Sequence, residues 1–438
     1  MGSTRFILVA SLFILYFTCA TSYGQSYLEV TGDLPVSPNP KDDPAIAQSV
    51  ARVLDPIVKS FAKRRDATGV SVAVSHNGKL IYARAVGYSN LRELKPATPE
   101  TLFSIASVSK PVTAIAILQL VQKRKLGLDD KFVDVLGLEL EPKRGKSIDP
   151  RIKQVTIRHL LNHTGGWDRN ISPSPTRHSN REAVCKHLGI EKSDFKAMHL
   201  IEFMLEEPLD FEPGTRHAYS NFGYCILGRV VEAASKRPYG EYVQEEILKP
   251  AGISRMVLRS DQIRDDEARS YKRVSENGEV VPGRFSECDL REWPASMPDS
   301  YGGWIAAPVD LLRLLNAFDP NSRSKLLSKN AIQAMYSPPR GLSLVDETGK
   351  PLKNYYAFGW VVWPKKVGLS AGHGGSGCGT VAYAYRRSSG FNWVTLMNTD
   401  AGGPPSSVLS DECEAALAKI KIPPRFDLFR ISYPAARR

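Results

Sequence analysis

The chain has 438 residues, of which 42% are hydrophobic and 24% charged, and its formal net charge at pH 7 is +12. A chain of this size can bury a substantial core and is longer than one compact domain usually is, so we expect one large domain with an insertion, or two domains. Its basic residues are scattered, with only short clusters such as Lys63 to Arg65, and no nucleic-acid-binding motif accompanies them. We therefore expect a solvated basic surface and no nucleic-acid partner.

The first 24 residues have the pattern of a secretory signal peptide. Arg5 supplies one positive charge, an apolar run extends from Phe6 to Phe17, and small residues follow. This run is shorter than the roughly 20 residues that span a bilayer, so we expect cleavage rather than a membrane anchor. The mature chain is then expected to be secreted or periplasmic, without stable membrane insertion.

The cysteine pattern indicates neither a zinc ribbon nor a thioredoxin-type site, because it contains no C-x-x-C pair. Cys19 lies in the signal segment. It could be a lipid-attachment cysteine, but the preceding Tyr16-Phe17-Thr18 suits that role poorly. We expect the remaining cysteines to be buried and unpaired, although an odd number of them would leave a free thiol if a disulfide formed. These are Cys185, Cys225, Cys288, Cys378 and Cys413.

The first part of the chain predicts a linker, a helix and a hairpin. Residues 25–45 are rich in proline and read as an extended linker. Apolar residues recur at helical spacing from Ile46 to Lys63. Two strands, Val70 to Val74 and Lys79 to Tyr82, are joined through Asn77-Gly78, a strong hairpin signal.

A second helix is expected from Ser107 to Gln122, and residues 129–300 are expected to form a mostly helical insertion. The candidate helices in that insertion are Ile157 to Leu161, Leu200 to Leu205, Tyr224 to Ala234 and Tyr239 to Leu248. The later elements are a helix from Val309 to Phe318, strands at Ala357 to Trp363, Thr380 to Arg386 and Trp393 to Asn398, and a helix from Ser407 to Ile420. Strands at both ends with helices between predict an α+β fold, in which an antiparallel sheet built from both chain ends carries packed helices. Residues 422–438 are expected to be a C-terminal tail.

The motif S-x-x-K at Ser107 and Lys110 indicates a nucleophile beside a base. Residues three apart at the start of a helix lie on one face, so these two side chains can touch. A serine hydroxyl becomes nucleophilic when a base takes its proton, and a lysine of lowered pKa can be that base. The helix N-terminus also favours negative charge developing near Ser107.

Two further segments accompany this motif, and together the three resemble the β-lactamase-related serine hydrolases. Phe211 to Tyr224 reads F-E-P-G-T-R-H-A-Y-S-N-F-G-Y, and Gly372 to Gly377 reads G-H-G-G-S-G. The family includes class C β-lactamases, D-alanyl-D-alanine carboxypeptidases, D-aminopeptidases and esterases, and its S-x-x-K, Y-x-N and K/H-x-G elements occur here in order. Supporting matches are His159 to Gly166, Leu248 to Ile253 and Tyr301 to Trp304. The resemblance implies one hydrolase domain over residues 46–421.

The resemblance also implies a role for each matched residue. Ser107 would attack the substrate carbonyl, Lys110 would accept its proton or tune its neighbour, and Tyr219 would be the partner acid or base. Asn221 would hydrogen-bond Lys110 or the substrate. In the last motif, the backbone N–H of Ser376 would join that of Ser107 in an oxyanion hole, and Gly375 would let the substrate approach the backbone.

Alternative sites in the sequence are weaker. A second Y-S-N occurs at Tyr88 to Asn90, but it lacks the flanking motif of Tyr219. His159 and His163 stand four apart, yet the glutamate of H-E-x-x-H is missing, so we expect no metal and no cofactor. A G-x-S-x-G elbow at Ser376 fails because Cys378 replaces the last glycine and no histidine follows.

The substrate stays open between esters, D-amino-acid peptides and β-lactams. His373 stands where classical β-lactamases of this fold carry lysine, and histidine is cationic only below about pH 6.5. Strong β-lactamase activity is therefore doubtful, and His373 in its protonated form is expected to bind a substrate carboxylate. The partner is expected to be a small molecule or peptide; the alternative function is a non-catalytic cell-wall or ligand-binding protein.

Overall fold

The computed structural model describes residues 27–30, 32–37, 44–141, 147–172, 178–288, 297–318, 326–400, 402–403 and 405–434, without the side chains of residues 178–180. The predicted signal peptide, residues 1–24, lies outside these ranges. Within them, no helix has both the length and the apolar character required to cross a bilayer.

The main sheet is antiparallel and joins the two ends of the chain, as predicted. Val70 near the start of the chain pairs with Met397 near its end. The strands of the described residues are β1 (Leu28–Glu29), β2 (Gly69–His76), β3 (Lys79–Asn90), β4 (Lys95–Pro96), β5 (Phe103–Ser104), β6 (Val257–Leu258), β7 (Ser270–Glu276), β8 (Glu279–Cys288), β9 (Trp304–Ala306), β10 (Tyr355–Tyr356), β11 (Val361–Pro364), β12 (Leu369–Gly377), β13 (Thr380–Arg386) and β14 (Phe391–Met397). The strand order of the main sheet is β10-β11-β12-β13-β14-β2-β3-β4, and the other strands form two small sheets, β1-β8-β7 and β5-β9-β6. The fold is α+β, as the sequence predicts.

Helices pack on this sheet and beside it. They are α1 (Ala45–Arg64), α2 (Ser109–Gln122), α3 (Phe132–Leu136), α4 (Ile157–Leu161), α5 (His178–Leu188), α6 (Ala197–Leu205), α7 (Asn221–Ser235), α8 (Tyr239–Val243), α9 (Asp299–Gly302), α10 (Pro308–Asn316), α11 (Lys329–Tyr336), α12 (Ser406–Leu417) and α13 (Leu428–Ile431). The predicted amphipathic helix is α1, whose residues Val50, Leu54, Val58 and Phe61 are fully buried. A π-helical turn, Gln244–Leu248, extends α8 over the range predicted as one helix.

The β2–β3 hairpin has the turn that its sequence predicts. His76 pairs with Lys79, so the loop contains only Asn77 and Gly78. Both loop residues have positive φ, 50° and 78°. This is the type I′ geometry, which only residues such as asparagine and glycine adopt at low cost, and its twist matches that of the strands.

The prediction of a mostly helical region over residues 129–300 is wrong for its last part. After Leu248 the chain forms β6, β7 and β8, and among the described residues the next helix, α9, begins only at Asp299. The turn between β7 and β8 is a second Asn-Gly pair, with φ values of 52° at Asn277 and 86° at Gly278. That pair was a usable hairpin signal, since it carries the same turn chemistry as Asn77-Gly78.

Both predicted terminal segments contain packed structure. In the predicted linker, Leu28 pairs with Phe285, so β1 adds a strand to the β7–β8 hairpin. In the predicted tail, α13 buries Leu428 and Phe429. The Asp427 carboxylate caps α13 and also accepts a hydrogen bond from the Leu80 backbone N–H of β3 at 3.1 Å.

The expectation that all five cysteines are unpaired is wrong for two of them. Cys288 and Cys378 form a disulfide, although 90 residues separate them in sequence. The bond joins the end of β8 to the turn between β12 and β13, two positions that only the folded chain brings together. Cys185, Cys225 and Cys413 are free and buried, as expected.

Candidate active site

Ser107 lies in a short 3-10 turn, Ala106–Val108, that leads into α2. Its side chain is half-exposed, whereas the neighbours Ala106 and Val108 are buried. Ala106 has a φ of 43°, in the left-handed region that an alanine rarely adopts. Such a backbone costs of order 1–3 kcal/mol and is typically found at functional sites, where the surrounding structure holds it in place.

The strand β12 passes directly beneath this turn at Gly375. A Cβ atom at position 375 would lie 2.3 Å from the carbonyl oxygen of Ile105 and 3.0 Å from the backbone nitrogen of Ser107. Any side chain at this position would therefore push β12 away from Ser107. The sequence motif contains glycine here because two backbones must approach each other closely.

Lys110 follows one turn later and is fully buried. Its Nζ lies 3.1 Å from Ser107 Oγ, 2.8 Å from Asn221 Oδ1 and 2.9 Å from the carbonyl oxygen of Tyr301. The last two oxygens accept hydrogen bonds and carry no proton to give. A neutral amine has two N–H bonds and one lone pair, so donation to Asn221 and Tyr301 leaves the lone pair for the Ser107 hydroxyl.

Burial lowers the pKa of Lys110 well below its usual 10.5, and the positive charge of Arg169 lowers it further. Desolvation disfavours the charged ammonium, and a nearby cation acts in the same direction. Among the described residues, no carboxylate contributes to this shift. The environment of Lys110 therefore favours the free amine, which can accept a proton.

Tyr219 lies beside these two residues, in the loop that precedes α7. Its hydroxyl is hydrogen-bonded to Ser107, and Lys110 Nζ lies 4.8 Å from the centre of its ring. Burial raises the pKa of Tyr219 to about 12, although the Ser107 hydrogen bond and the charge of Arg169 act to lower it. Tyr219 is therefore protonated at neutral pH and can give a proton rather than take one.

The N-terminus of α7 positions Asn221, its first residue. The Ser220 side chain caps the helix by accepting a hydrogen bond from the Gly223 N–H at 3.2 Å. The Ser220 N–H donates in turn to Nδ1 of His163, which is buried and packs against the ring of Tyr219 at 4.3 Å. His163 thus holds the segment that carries both Tyr219 and Asn221.

His373 and Ser376 lie on β12, but they face different surroundings. Ser376 is exposed, whereas His373 is 4% exposed. Nδ1 of His373 contacts the Gly374 carbonyl oxygen at 2.6 Å, so it carries the proton, and Nε2 accepts from the Tyr356 hydroxyl at 3.0 Å.

The His373 imidazole is neutral at physiological pH. Burial lowers its pKa to about 3, and a proton held on Lys110 acts in the same direction. This argues against the expectation that a protonated His373 binds a substrate carboxylate, because desolvation outweighs the modest bias of a free imidazole toward protonation near pH 6.5.

The residues of the weaker alternative sites have structural roles. His159 Nδ1 accepts from the Thr156 N–H at 3.3 Å and so takes part in capping α4. In the second Y-S-N segment, Asn90 Oδ1 accepts from the N–H of Arg92 at 3.0 Å and stabilises a turn. In the part of the chain that the structure describes, no group of three or more His, Cys, Asp or Glu side chains could hold a metal ion.

Two contributors to this site were missed in the sequence. The Tyr301 carbonyl lies in a motif that we matched but to which we gave no role. Arg169 follows the matched segment His159 to Gly166, and its guanidinium lies 5.0 Å from the centre of the Tyr219 ring. Its position three residues beyond a matched motif was the available signal.

Comparisons with known proteins show which family this chain resembles over most of its length. The family described as Beta-lactamase matches residues 54–416. Esterase EstB from Burkholderia gladioli is 31% identical over 288 residues, which are 63% of this chain and 71% of the esterase. Penicillin-binding protein 4* from Bacillus subtilis (strain 168) is 26% identical over 348 residues, 75% of this chain and 67% of that protein.

A similar solved structure is the octameric penicillin-binding protein homologue from Pyrococcus abyssi. It is 25% identical, has a TM-score of 0.64, and the similarity covers 87% of this chain and 79% of that one. The family match over residues 54–416 includes every residue of the candidate site.

Proposed function

This chain belongs to the Beta-lactamase family of hydrolases, and we propose that it works through an acyl-enzyme formed on Ser107. The observation that carries the proposal is the contact of a half-exposed serine with a buried lysine that has no carboxylate partner among the described residues. That combination supplies a nucleophile and a base at the same point.

In the acylation step, Lys110 acts as the general base. Its lone pair takes the Ser107 proton as Oγ forms a bond to the substrate carbonyl carbon. The backbone N–H groups of Ser107 and Ser376 stabilise the oxygen that becomes negative. The bond to the leaving group then breaks, and water later hydrolyses the acyl-serine by the reverse use of the same groups.

Tyr219 gives the leaving group its proton. This assignment follows from the opposite pKa shifts of the two groups, since burial keeps the tyrosine protonated and favours the free amine of the lysine. Its hydrogen bond to Ser107 places the hydroxyl beside the reacting oxygen. Lys110 keeps the proton in the acyl-enzyme, while Tyr219, which has given one away, takes a proton from the attacking water. Lys110 then returns its proton to Ser107 Oγ as the acyl group leaves, which restores both groups.

We propose small esters as the first substrate class, with cell-wall peptides or β-lactams as the second. The similarity to esterase EstB supports esters, and the similarity to penicillin-binding protein 4* supports the second class. The neutral His373 favours the ester, because it gives a β-lactam carboxylate no fixed cation at the position where lysine would stand.

A fluorophosphonate and a fluorescent penicillin test the acyl-enzyme directly. Mass spectrometry should find the adduct on Ser107, and Ser107→Ala should abolish labelling and lower kcat for an aryl ester by about 10⁴-fold or more. The control is Ser388→Ala, since Ser388 is an exposed serine in the turn between β13 and β14. Labelling of another serine, or saturable binding of esters and penicillin without turnover, would contradict the proposal and favour a binding protein.

The coupling of Lys110 and Tyr219 has its own test. Lys110→Met and Tyr219→Phe should each cost a large factor in kcat, while the double variant should be little worse than the poorer single one. Losses that multiply would show two independent groups instead of one proton-transfer unit.

We also propose that the enzyme acts outside the cytoplasm, on the basis of the signal pattern in residues 1–24. Expression of the full chain with fractionation, followed by N-terminal sequencing of the exported form, tests this. A cytoplasmic product that retains residues 1–24 would contradict it.

A further inference from the structure

The turn that follows α4 presents Arg169 to solvent beside the candidate site. Arg169 is exposed, and its guanidinium lies 5.0 Å from the centre of the Tyr219 ring. Lys110 Nζ lies 4.8 Å from the same centre, so the two basic groups are within about 10 Å of each other, roughly one Debye length at 0.1 M salt. Arg169 is therefore close enough to act on whatever binds at Ser107.

The turn is anchored on both sides of Arg169. Trp167 is buried and packs edge-on against Phe222, the second residue of α7, with ring centres 4.9 Å apart. The Asp168 N–H donates to the carboxylate of Asp210 at 2.7 Å. The guanidinium is thus carried by a turn fixed to the same helix that supplies Asn221.

The acidic neighbour of Arg169 has other partners. Oδ1 of Asp168 accepts from the Asn170 N–H at 2.9 Å, and Oδ2 pairs with Arg216 at 3.1 Å. Among the residues that the structure describes, Arg169 has the Tyr219 ring as its contact and no carboxylate. An arginine that remains unpaired beside a reactive centre is available to a ligand, and its planar fork suits a carboxylate.

Within the described ranges, no acidic side chain contributes to the pKa shifts of Lys110, Tyr219, His163 or His373, so no described carboxylate there competes with an anionic ligand. His373 is neutral and the surroundings of Lys110 favour its free amine, so the Arg169 guanidinium is the cation beside the Tyr219 ring.

We propose that Arg169 binds an anionic group on the leaving-group side of the substrate, so that acyl compounds whose leaving group carries a carboxylate are preferred. We assign the anionic group to the leaving-group side because Arg169 lies beside Tyr219, which gives the leaving group its proton in the proposed reaction. This inference rests on the proposed function, and it places recognition of the anion on the turn after α4 rather than at His373 on β12.

Two matched esters test the proposal: 4-acetoxybenzoate, whose leaving group is anionic, and its methyl ester, whose leaving group is neutral. Arg169→Gln should lower kcat/KM for 4-acetoxybenzoate by about 10-fold, mainly through KM, and change the methyl ester less than about twofold. Arg169→Lys should restore part of the loss. High salt should weaken the preference in the wild type.

The matched control is Arg124→Gln, which makes the same change in net charge. Arg124 is exposed just beyond the C-terminal end of α2, about 20 Å from Lys110 along a helix of 14 residues. Arg124→Gln should leave kcat/KM for both esters unchanged. The proposal would be overturned if Arg169→Gln lowered kcat/KM equally for both esters and moved the alkaline limb of both pH profiles upward by the same amount. Arg169 would then act only by lowering the pKa of Tyr219.

A binding measurement separates this inference from the proposed function. In Ser107→Ala, which cannot be acylated, the product 4-hydroxybenzoate should bind more tightly than methyl 4-hydroxybenzoate, and Arg169→Gln should remove that difference. Equal binding would overturn the inference alone. Failure of the wild type to hydrolyse either ester, with preferential 4-hydroxybenzoate binding intact, would instead count against the proposed function.

Discussion

Two basic side chains, the fully buried Lys110 and the partly buried Arg229, are each held by the same two helices, yet their surroundings differ. α7 supplies Asn221 to Lys110 and carries Arg229 two turns later. α9 supplies the Tyr301 carbonyl to Lys110 and the Asp299 carboxylate to Arg229. One pair of helices thus builds two charge sites with different properties.

The difference lies in the partners. Arg229 contacts Asp299 at 2.5 Å and Glu232 at 3.0 Å, so its charge is neutralised. Burial raises the pKa of Asp299 while Arg229 acts to lower it. Lys110 contacts only neutral oxygens among the described residues. A carboxylate partner would hold a lysine in its charged form, whereas neutral acceptors leave desolvation free to lower its pKa.

In this fold the Arg229 site contributes to stability, whereas the Lys110 site provides reactivity. The Arg229–Asp299 pair joins α7 to α9 at a point of close approach, since a Cβ at Gly228 would lie 2.5 Å from Ser300 Oγ. This keeps Asn221 and Tyr301 in position around Lys110. Arg229, which is paired with a carboxylate, has a structural role. Lys110, which contacts only neutral oxygens among the described residues, is available for proton transfer.

Lys110→Met should have the largest effect on activity and the opposite effect on stability. We expect kcat to fall by about 10³-fold, because the general base is lost, while the free energy of unfolding stays equal or increases. The folded-state pKa of Lys110 lies below 10.5, so the unfolded chain binds more protons between the two values. The wild type therefore gains stability as pH rises through that window, and its difference from the variant should shrink.

Denaturant unfolding at several pH values, together with ester kinetics, measures both effects. A variant that is strongly destabilised at neutral pH would show that Lys110 is a structural cation like Arg229.

Arg229→Met should show the reverse pattern. Removing this partner leaves Asp299 buried without its cation, which should cost about 3–5 kcal/mol in the free energy of unfolding. The kcat per folded molecule should stay within a few-fold of the wild type. The double variant Arg229→Met/Asp299→Leu should recover much of the stability, since it removes both charges; no recovery would mean that the packing of Arg229 matters more than its charge.

Asn221→Asp should make the Lys110 site resemble the Arg229 site. A carboxylate about 2.8 Å from Nζ should raise the pKa of Lys110 and hold the ammonium, lowering kcat/KM at pH 7 by about 10- to 100-fold. The acid limb of the pH profile should move to higher pH, and activity should partly return above pH 9. A loss that is the same at every pH would show that Asn221 acts by geometry alone.

The smallest effect is expected at His373. Because burial lowers its pKa to about 3, it should produce no inflection in kcat/KM between pH 5 and 8, for anionic or neutral esters. Imidazole ¹⁵N shifts should keep the neutral pattern, with the proton on Nδ1, across this range. An inflection near pH 6.5 that disappears in His373→Asn would restore the carboxylate-binding role.

Local chemistry determined much of the fold. The helical repeat of apolar residues predicts α1, and the Asn77-Gly78 turn predicts the β2–β3 hairpin, because both depend on residues close in sequence. The three-residue spacing of Ser107 and Lys110 likewise predicts their contact. Part of the sequence signal was overlooked, as the second Asn-Gly turn between β7 and β8 demonstrates.

The chemistry of Lys110 and its neighbours depends on contacts that form only in the folded chain. Its acceptors Asn221 and Tyr301 lie 111 and 191 residues away in sequence, and the disulfide joins positions 90 residues apart. A pKa depends on burial and on every charge nearby, and these come from distant segments. For this reason the sequence could name His373 as a candidate site residue, but only folding made its imidazole neutral and left Arg169 as the exposed cation beside Tyr219.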